Sequence, residues 1–238
     1  GFPLCAGDIM ARNPGYCLAG REWRERFAAW ISEPTPEALL KASIFFDFRA
    51  LYGSHALADG LRGWINGVTP ENRLFQRLLV ANALGQPQVF VHRDYHSRNL
   101  MVCPGDNPGI LDFQDAVRGP MTYDLVSILR DCYIAWPAAR VETWVEHYRE
   151  QAEAAGLRTG GPERFLHAFD LMGLQRHIKV LGIFCRLYYR DGKAGYLNDL
   201  PLVWQYTRDI GRKYPETQAL IDLIEQAIGD RDLRLPSA

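Results

Sequence analysis

The spacing of apolar positions changes period twice along the chain. Residues 1–20 are rich in Gly, Pro and Asn and carry no regular period, as in an irregular lead-in. Helical spacing follows: "REWRERFAAWI" places Trp23, Phe27 and Trp30 three or four apart, on one face that reads as core. "TPEALLKASIFFDFRALYG" opens with Thr35 as a cap and Pro36 in the first turn, a preferred helix start. "TPENRLFQRLLVANALG" repeats that opening and stops at Gly85, a usual C-terminal signal. Beyond Gln86 and Pro87 the pattern shortens to three β-like runs at 89–91, 100–102 and 110–113. Helical spacing returns in "YDLVSILRDCYIAW", then in "PAARVETWVEHYREQAEAAG". A long segment from Gly161 follows, with an apolar stripe at Leu171, Leu174, Ile178 and Leu181. Two more helices, at 199–212 and 215–229, complete the pattern. The expected class is mainly α with a small central β element preceded by a helical block.

Composition narrows this only a little. In 238 residues, 47% hydrophobic and 12% aromatic, there is enough apolar surface for a packed core. A formal net charge of −1 gives no electrostatic reason to expect nucleic acid or an anionic membrane as partner. The five cysteines include no C-x-x-C pair, which fits reduced thiols in a cytoplasmic protein. No apolar run is long enough to cross a bilayer. The sequence begins at Gly1 rather than Met, so processing, excision or truncation is expected.

The chemistry concentrates between the first two β runs, in "VHRDYHSRN". Asp94 and Asn99 have the H-R-D-x-x-x-x-N spacing of a kinase catalytic loop. A hydroxyl that attacks a terminal phosphate needs a carboxylate to orient it and accept its proton, and oxygen ligands must hold Mg²⁺ on the phosphates. Asp94 suits the first role, and Asn99 offers an amide oxygen. Asp112, at the end of the third run, offers a hard carboxylate of the kind Mg²⁺ prefers. A hairpin of 100–102 with 110–112 across "CPGDNPG" brings Asn99 and Asp112 to one end. Singly, each residue has a plainer reading: Asp and Asn as turn residues, His92 and His96 as hydrogen-bonded structural histidines.

"VHRDYHSRNLMV…GILDFQDAVRGPMTYDLVSILRD" resembles the C-terminal lobe of the aminoglycoside phosphotransferase-like kinases. Within that superfamily it is most similar to the anomeric kinases of N-acetylmuramate and N-acetylglucosamine, which serve cell-wall recycling. The resemblance runs from about residue 86 to the C-terminus, through "DLMGLQRHIKVLGIFCRLYYRDGK" and "YLNDLP". It implies a protein-kinase-like C-lobe, ATP and Mg²⁺ as cofactors, and an amino sugar as acceptor. It also implies Asp94 as catalytic base and Asn99 and Asp112 as metal ligands. His92 and Asp124 would brace the loop, with Asp115 as a further support.

A kinase of this type also needs an N-terminal lobe, with a lysine that grips the nucleotide phosphates. The only lysine before Asp94 is Lys41, in a helical pattern, and no G-x-G-x-x-G precedes the loop. Residues 1–84 instead resemble the substrate-binding domain of bacterial signal-type nucleotidyltransferases. The expected division is therefore a helical block at 1–85 and a kinase-like lobe at 86–238. With the N-lobe missing or held by a partner domain, impaired activity is expected. Two other classes stay open: a non-catalytic ligand-binding or regulatory module, and a metal-dependent hydrolase. The hydrolase would hold its ion on His92, Asp94 and His96, which share one face if the strand continues through them. His167, Arg176, His177 and Lys179 read as surface or interhelix contacts, and Arg118 as a solvated side chain.

Overall fold

A computed structural model describes residues 70–189 and 191–235. The Trp23, Phe27 and Trp30 stripe, the Thr35 cap and Lys41 lie outside these residues. The described elements are mostly helical, with four short strands. In order they are α1 (Pro70–Leu84), β1 (Gln88–Val91), β2 (Leu100–Met101), β3 (Gly109–Ile110), β4 (Val117–Pro120) and α2 (Tyr123–Leu129). There follow α3 (Ala138–Ala154), α4 (Pro162–Tyr189), α5 (Leu200–Lys213) and α6 (Pro215–Ile228). Single 3₁₀ turns at Ser97–Asn99 and Ala194–Asp199 precede β2 and α5.

α4 is the axis of the unit. Its 28 residues span about 42 Å and pack against α1, α2, α3, α5 and the Ala194–Asp199 turn. Phe165, Phe169 and Met172 join a core with Val91, Met121, Val126, Val141 and Val145. Farther along, Leu174 and Ile178 meet Ile210, Leu220 and Ile221. Leu181, Phe184 and Cys185 meet Leu197, Leu200 and Val203. Arginine and aspartate are almost never fully buried unless paired, yet this interior holds both, and both are paired. Asp170 is fully buried and accepts from Arg130 at 2.5 Å, Lys213 at 2.7 Å and Tyr214 at 2.5 Å. α5 and α6 approach so closely that a Cβ on Gly211 would lie 2.2 Å from Ile221 Cγ1.

α1 begins with Pro70 at its first position and ends before Gly85, as its sequence signals. It packs on α4, where Asn82 donates to the Ala168 carbonyl at 3.1 Å. Gln86 then receives both the N–H and the hydroxyl of Thr122, at 3.2 and 2.7 Å.

The strands form two antiparallel pairs. β2 pairs with β3, Leu100 opposite Ile110, and β1 pairs with β4, Gln88 opposite Pro120. β4 carries no signal in the sequence pattern, because "VRGP" contains Gly and Pro, which are depleted in strands. Pro120 is tolerated because it ends the strand. The run at 110–113 is strand only through Ile110, and Asp112, with φ of 61°, turns the chain out of the ladder. "YDLVSILRDCYIAW" is not one helix either, since α2 stops at Leu129. The Asp131 carboxylate takes the Tyr133 N–H at 2.9 Å, and such local side-chain bonding competes with the helical ladder.

Candidate active site

The loop between β1 and β2 is held by a small set of buried groups. At the end of β1 the chain reverses at Arg93, whose φ of 78° costs a residue with a side chain roughly 1–2 kcal/mol. Asp124, in the first turn of α2, offsets that cost. Its carboxylate accepts the His92 N–H at 2.5 Å and the Arg93 N–H at 3.0 Å. Burial raises the Asp124 carboxyl above the usual range, opposed by those same two N–H groups. Arg176 of α4 donates to the Arg93 carbonyl at 3.2 Å and closes the turn from its other side.

His92 is almost fully buried and ties the loop to the second strand pair. Its Nε2 donates to the Leu111 carbonyl at 2.8 Å, which leaves Nδ1 to accept the Asp94 N–H at 3.3 Å. Both ring nitrogens are thus engaged in positioning Asp94. Asn99 closes the loop upon itself, its Nδ2 donating to the Asp94 carbonyl at 2.9 Å. Its backbone carbonyl accepts the Leu111 N–H at 2.9 Å, so Asn99 faces the residue next to Asp112. The β2–β3 pairing therefore carries Asn99 and Asp112 at one end. Among the described residues no hydrogen bond is made to the Asp94 carboxylate, which is half-buried. The Asp112 carboxylate is exposed and receives the Gln114 side-chain amide.

The remaining nominated residue, Asp115, is exposed and touches the loop through its backbone, whose carbonyl accepts from Arg93 Nη1 at 3.4 Å. Arg118 is exposed on β4. The one-face arrangement required for a His92–Asp94–His96 metal triad is not formed. β1 ends at Val91, and both nitrogens of His92 are taken. Among the described residues no group of three or more His, Cys, Asp or Glu side chains is placed to hold a metal ion.

Two residues that shape the loop were not singled out by their sequence spacing. Asp131, almost fully buried, accepts the Ser97 N–H at 2.8 Å and so fixes the 3₁₀ turn that carries Asn99. Arg176 is buried beneath the loop, 5.6 Å from the Tyr123 ring centroid, and within electrostatic range of Asp94. Burial works against its charge, and Tyr123, Cys132 and Asp94 more than offset that. Asp131 and Arg176 are both charges that must be paired if buried, but nothing in their spacing marks them as buried. The same burial depresses His96, with Arg176 adding to it and Asp131 and Asp94 opposing. His167 and His177 make interhelix contacts, with Glu216 at 3.2 Å and the Arg130 carbonyl at 3.0 Å.

Comparison with known proteins places this geometry. The profile described as "Phosphotransferase enzyme family" matches residues 16–164, a span that crosses position 85 and includes the whole loop. The chain is 50% identical over 151 residues to the N-acetylmuramate/N-acetylglucosamine kinase of Pseudomonas putida, covering 63% of this chain and 44% of that protein. The kinase of the same name from Neisseria meningitidis serogroup B is 49% identical over 158 residues, 65% of this chain and 46% of that protein. That of Pseudomonas aeruginosa is 48% identical over 148 residues, 62% and 44% of the two chains. The chain spans less than half the length of these curated relatives.

Proposed function

The chain belongs to the phosphotransferase enzyme family, and on that premise we propose that it transfers the terminal phosphate of ATP to a hydroxyl of an amino sugar. The fold reading that goes with this is a protein-kinase-like C-lobe built around α4. The observation that carries the proposal is the Asp94 carboxylate, fixed through its backbone by His92 and Asn99 yet left without a hydrogen bond among the described residues. A base held this way is ready to orient an acceptor hydroxyl and take its proton.

The neighbouring donors suit Mg²⁺. Asn99 spends its amide N–H on Asp94, so its oxygen points away from that bond, and Asp112 adds an exposed carboxylate at the same end of the strand pair. Two hard oxygens fit an ion that takes one or two protein ligands and completes its shell with phosphates and water. When bound, the ion neutralises charge on the transferring phosphate. Asp124, His92 and Arg176 act as positioning residues, because they fix the backbone on either side of Asp94.

A phosphate-gripping lysine is not evident among the described residues. Lys179 lies on α4 beside the Tyr123 hydroxyl, Lys213 is paired with Asp170, and Lys193 precedes the Ala194–Asp199 turn. Slow turnover by residues 1–238 is therefore part of the proposal. The test is coupled ADP release with N-acetylmuramate or N-acetylglucosamine, with Asp94→Ala as the reference. Release above that reference, slower than about 1 per second, is expected. Release equal to the Asp94→Ala level with both sugars overturns the kinase reading. Calorimetry adds a second readout, in which Mg²⁺-ATP binding is lost in Asp112→Ala.

A further inference from the structure

Arg98 sits inside the loop and is spent on nothing that the loop needs. Its backbone is fixed on both sides, by Ser97 on Asp131 and by Asn99 on Leu111. Its guanidinium carbon lies 3.4 Å from the centroid of the Tyr133 ring, so the ring holds the cation in place. Tyr133 is itself anchored, stacked on Phe184 at 6.2 Å and met edge-on by His96 at 5.5 Å. The carboxylate that faces Arg98 is Asp199, at the start of α5, 3.8 Å from Nη2. That is well beyond the 2.7–2.9 Å of a charge-assisted hydrogen bond. Among the described residues the guanidinium donates no hydrogen bond, and its side chain is 54% exposed.

This is a cation with its position fixed and its donors unspent. It is also close to the chemistry. Arg98 follows Asp94 by four positions, so their Cα atoms are at most about 14 Å apart. Both charges act on the same His96 ring. A sugar with its reacting hydroxyl on Asp94 lies within reach of such an arginine.

The two acceptors of the proposed function differ by one group. N-acetylmuramate carries a lactyl ether ending in a carboxylate where N-acetylglucosamine has a hydroxyl. A site serving both needs a cation that is stable when no carboxylate arrives. Arg98 meets that need, since Tyr133 and Asp199 satisfy it loosely in the meantime. Resting on the kinase reading, we propose that Arg98 sets acceptor selectivity, turning its fork from Asp199 to the carboxylate of the acid sugar. A planar guanidinium pairs with a carboxylate through two parallel bonds, which a lysine does not reproduce.

The experiment compares kcat/KM for the two sugars in residues 1–238, alongside calorimetric binding of each sugar without nucleotide. In Arg98→Gln the ratio favouring the acid sugar is expected to fall about tenfold or more. In Asp199→Asn, which removes the competing carboxylate, it is expected to rise. The unaltered chain supplies a readout that does not depend on a variant folding: it should bind N-acetylmuramate about tenfold tighter than the methyl ester of its carboxylate. Equal binding of acid and ester, or an Arg98→Gln ratio equal to that of the unaltered chain, overturns the proposal, as does binding of neither sugar. Selective binding of the acid without ADP release overturns the kinase reading and leaves the role of Arg98 standing.

Discussion

Replacing Asp124 by Asn tests how the loop is held, because it removes charge and one acceptor without changing size. The carboxylate accepts two backbone N–H groups, at 2.5 and 3.0 Å, from His92 and Arg93. Hydrogen bonds to a charged group are worth about 1.5–3 kcal/mol each. An asparagine keeps one of them through its carbonyl and turns its own NH₂ toward the other donor. The loss is then one charged bond plus the weakening of the second, against a turn at Arg93 that already carries left-handed strain. The native loop should lose about 2–4 kcal/mol relative to opened forms. At 1.4 kcal/mol per factor of ten, amide exchange at His92 and Arg93 should accelerate roughly 30- to 1000-fold if opening of the loop controls it. Hydrogen exchange resolved over residues 91–97 measures this without a substrate, and urea unfolding of the same variant reports the global cost. ADP release should fall in parallel, since Asp94 loses its orientation. Unchanged exchange at His92 and Arg93 together with an unchanged urea midpoint would refute the assignment of Asp124 as the clamp of this turn.

Three further outcomes follow from the packing. Asp170→Asn leaves Arg130 buried without its counter-charge, and urea unfolding should show a loss of about 3–5 kcal/mol; a loss under about 1 kcal/mol would contradict the network described. Burial lowers His177 to about 3, whereas the unfolded chain titrates near 6.5. The unfolded state therefore takes up a proton that the folded state refuses. The stability contributed by neutral His177 is complete above pH 6.5 and is lost as pH falls, at up to roughly 1.4 kcal/mol per unit. Urea midpoints between pH 7 and 4.5 should fall less steeply in His177→Gln, and parallel profiles would count against this. Gly211→Ala forces a Cβ into Ile221 and should cost about 1–3 kcal/mol by thermal or urea unfolding; Gly211→Ala/Ile221→Val should recover part of it.

How much of this was legible in the sequence differs between element types. Long helices read well because a 3.6-residue period repeats many times, as in α4 with Leu171, Leu174 and Ile178. β4 was hidden because four residues containing Gly and Pro carry no period, and only the partner strand at 88–91 gives them a role. The end of α2 was missed for a related reason. Whether the Asp131 carboxylate bonds Tyr133 locally or faces solvent on a longer helix depends on Ser97, 34 residues away. Within the candidate site, the H-R-D-x-x-x-x-N spacing drew attention to Asp94 and Asn99, because both belong to one short loop. Arg176 reaches that loop from 83 residues downstream, a distance that no local pattern spans.

That separation has a consequence for how the protein is made. The loop leaves the ribosome early, but the guanidinium beneath Arg93 and the aspartate that holds Arg130 arrive on α4, and Lys213 and Tyr214 later still. Until α4 docks, residues 92–99 have Asp124 and Asp131 to hold them but lack the Arg176 contact that closes the turn at Arg93. Contacts of such long range form slowly, and domains of this kind settle only when the closing segment is available. A nascent chain paused before residue 176 would carry the whole loop and lack the arginine that closes its turn. Synthesis thus delivers the loop first and the last of its supports many residues later.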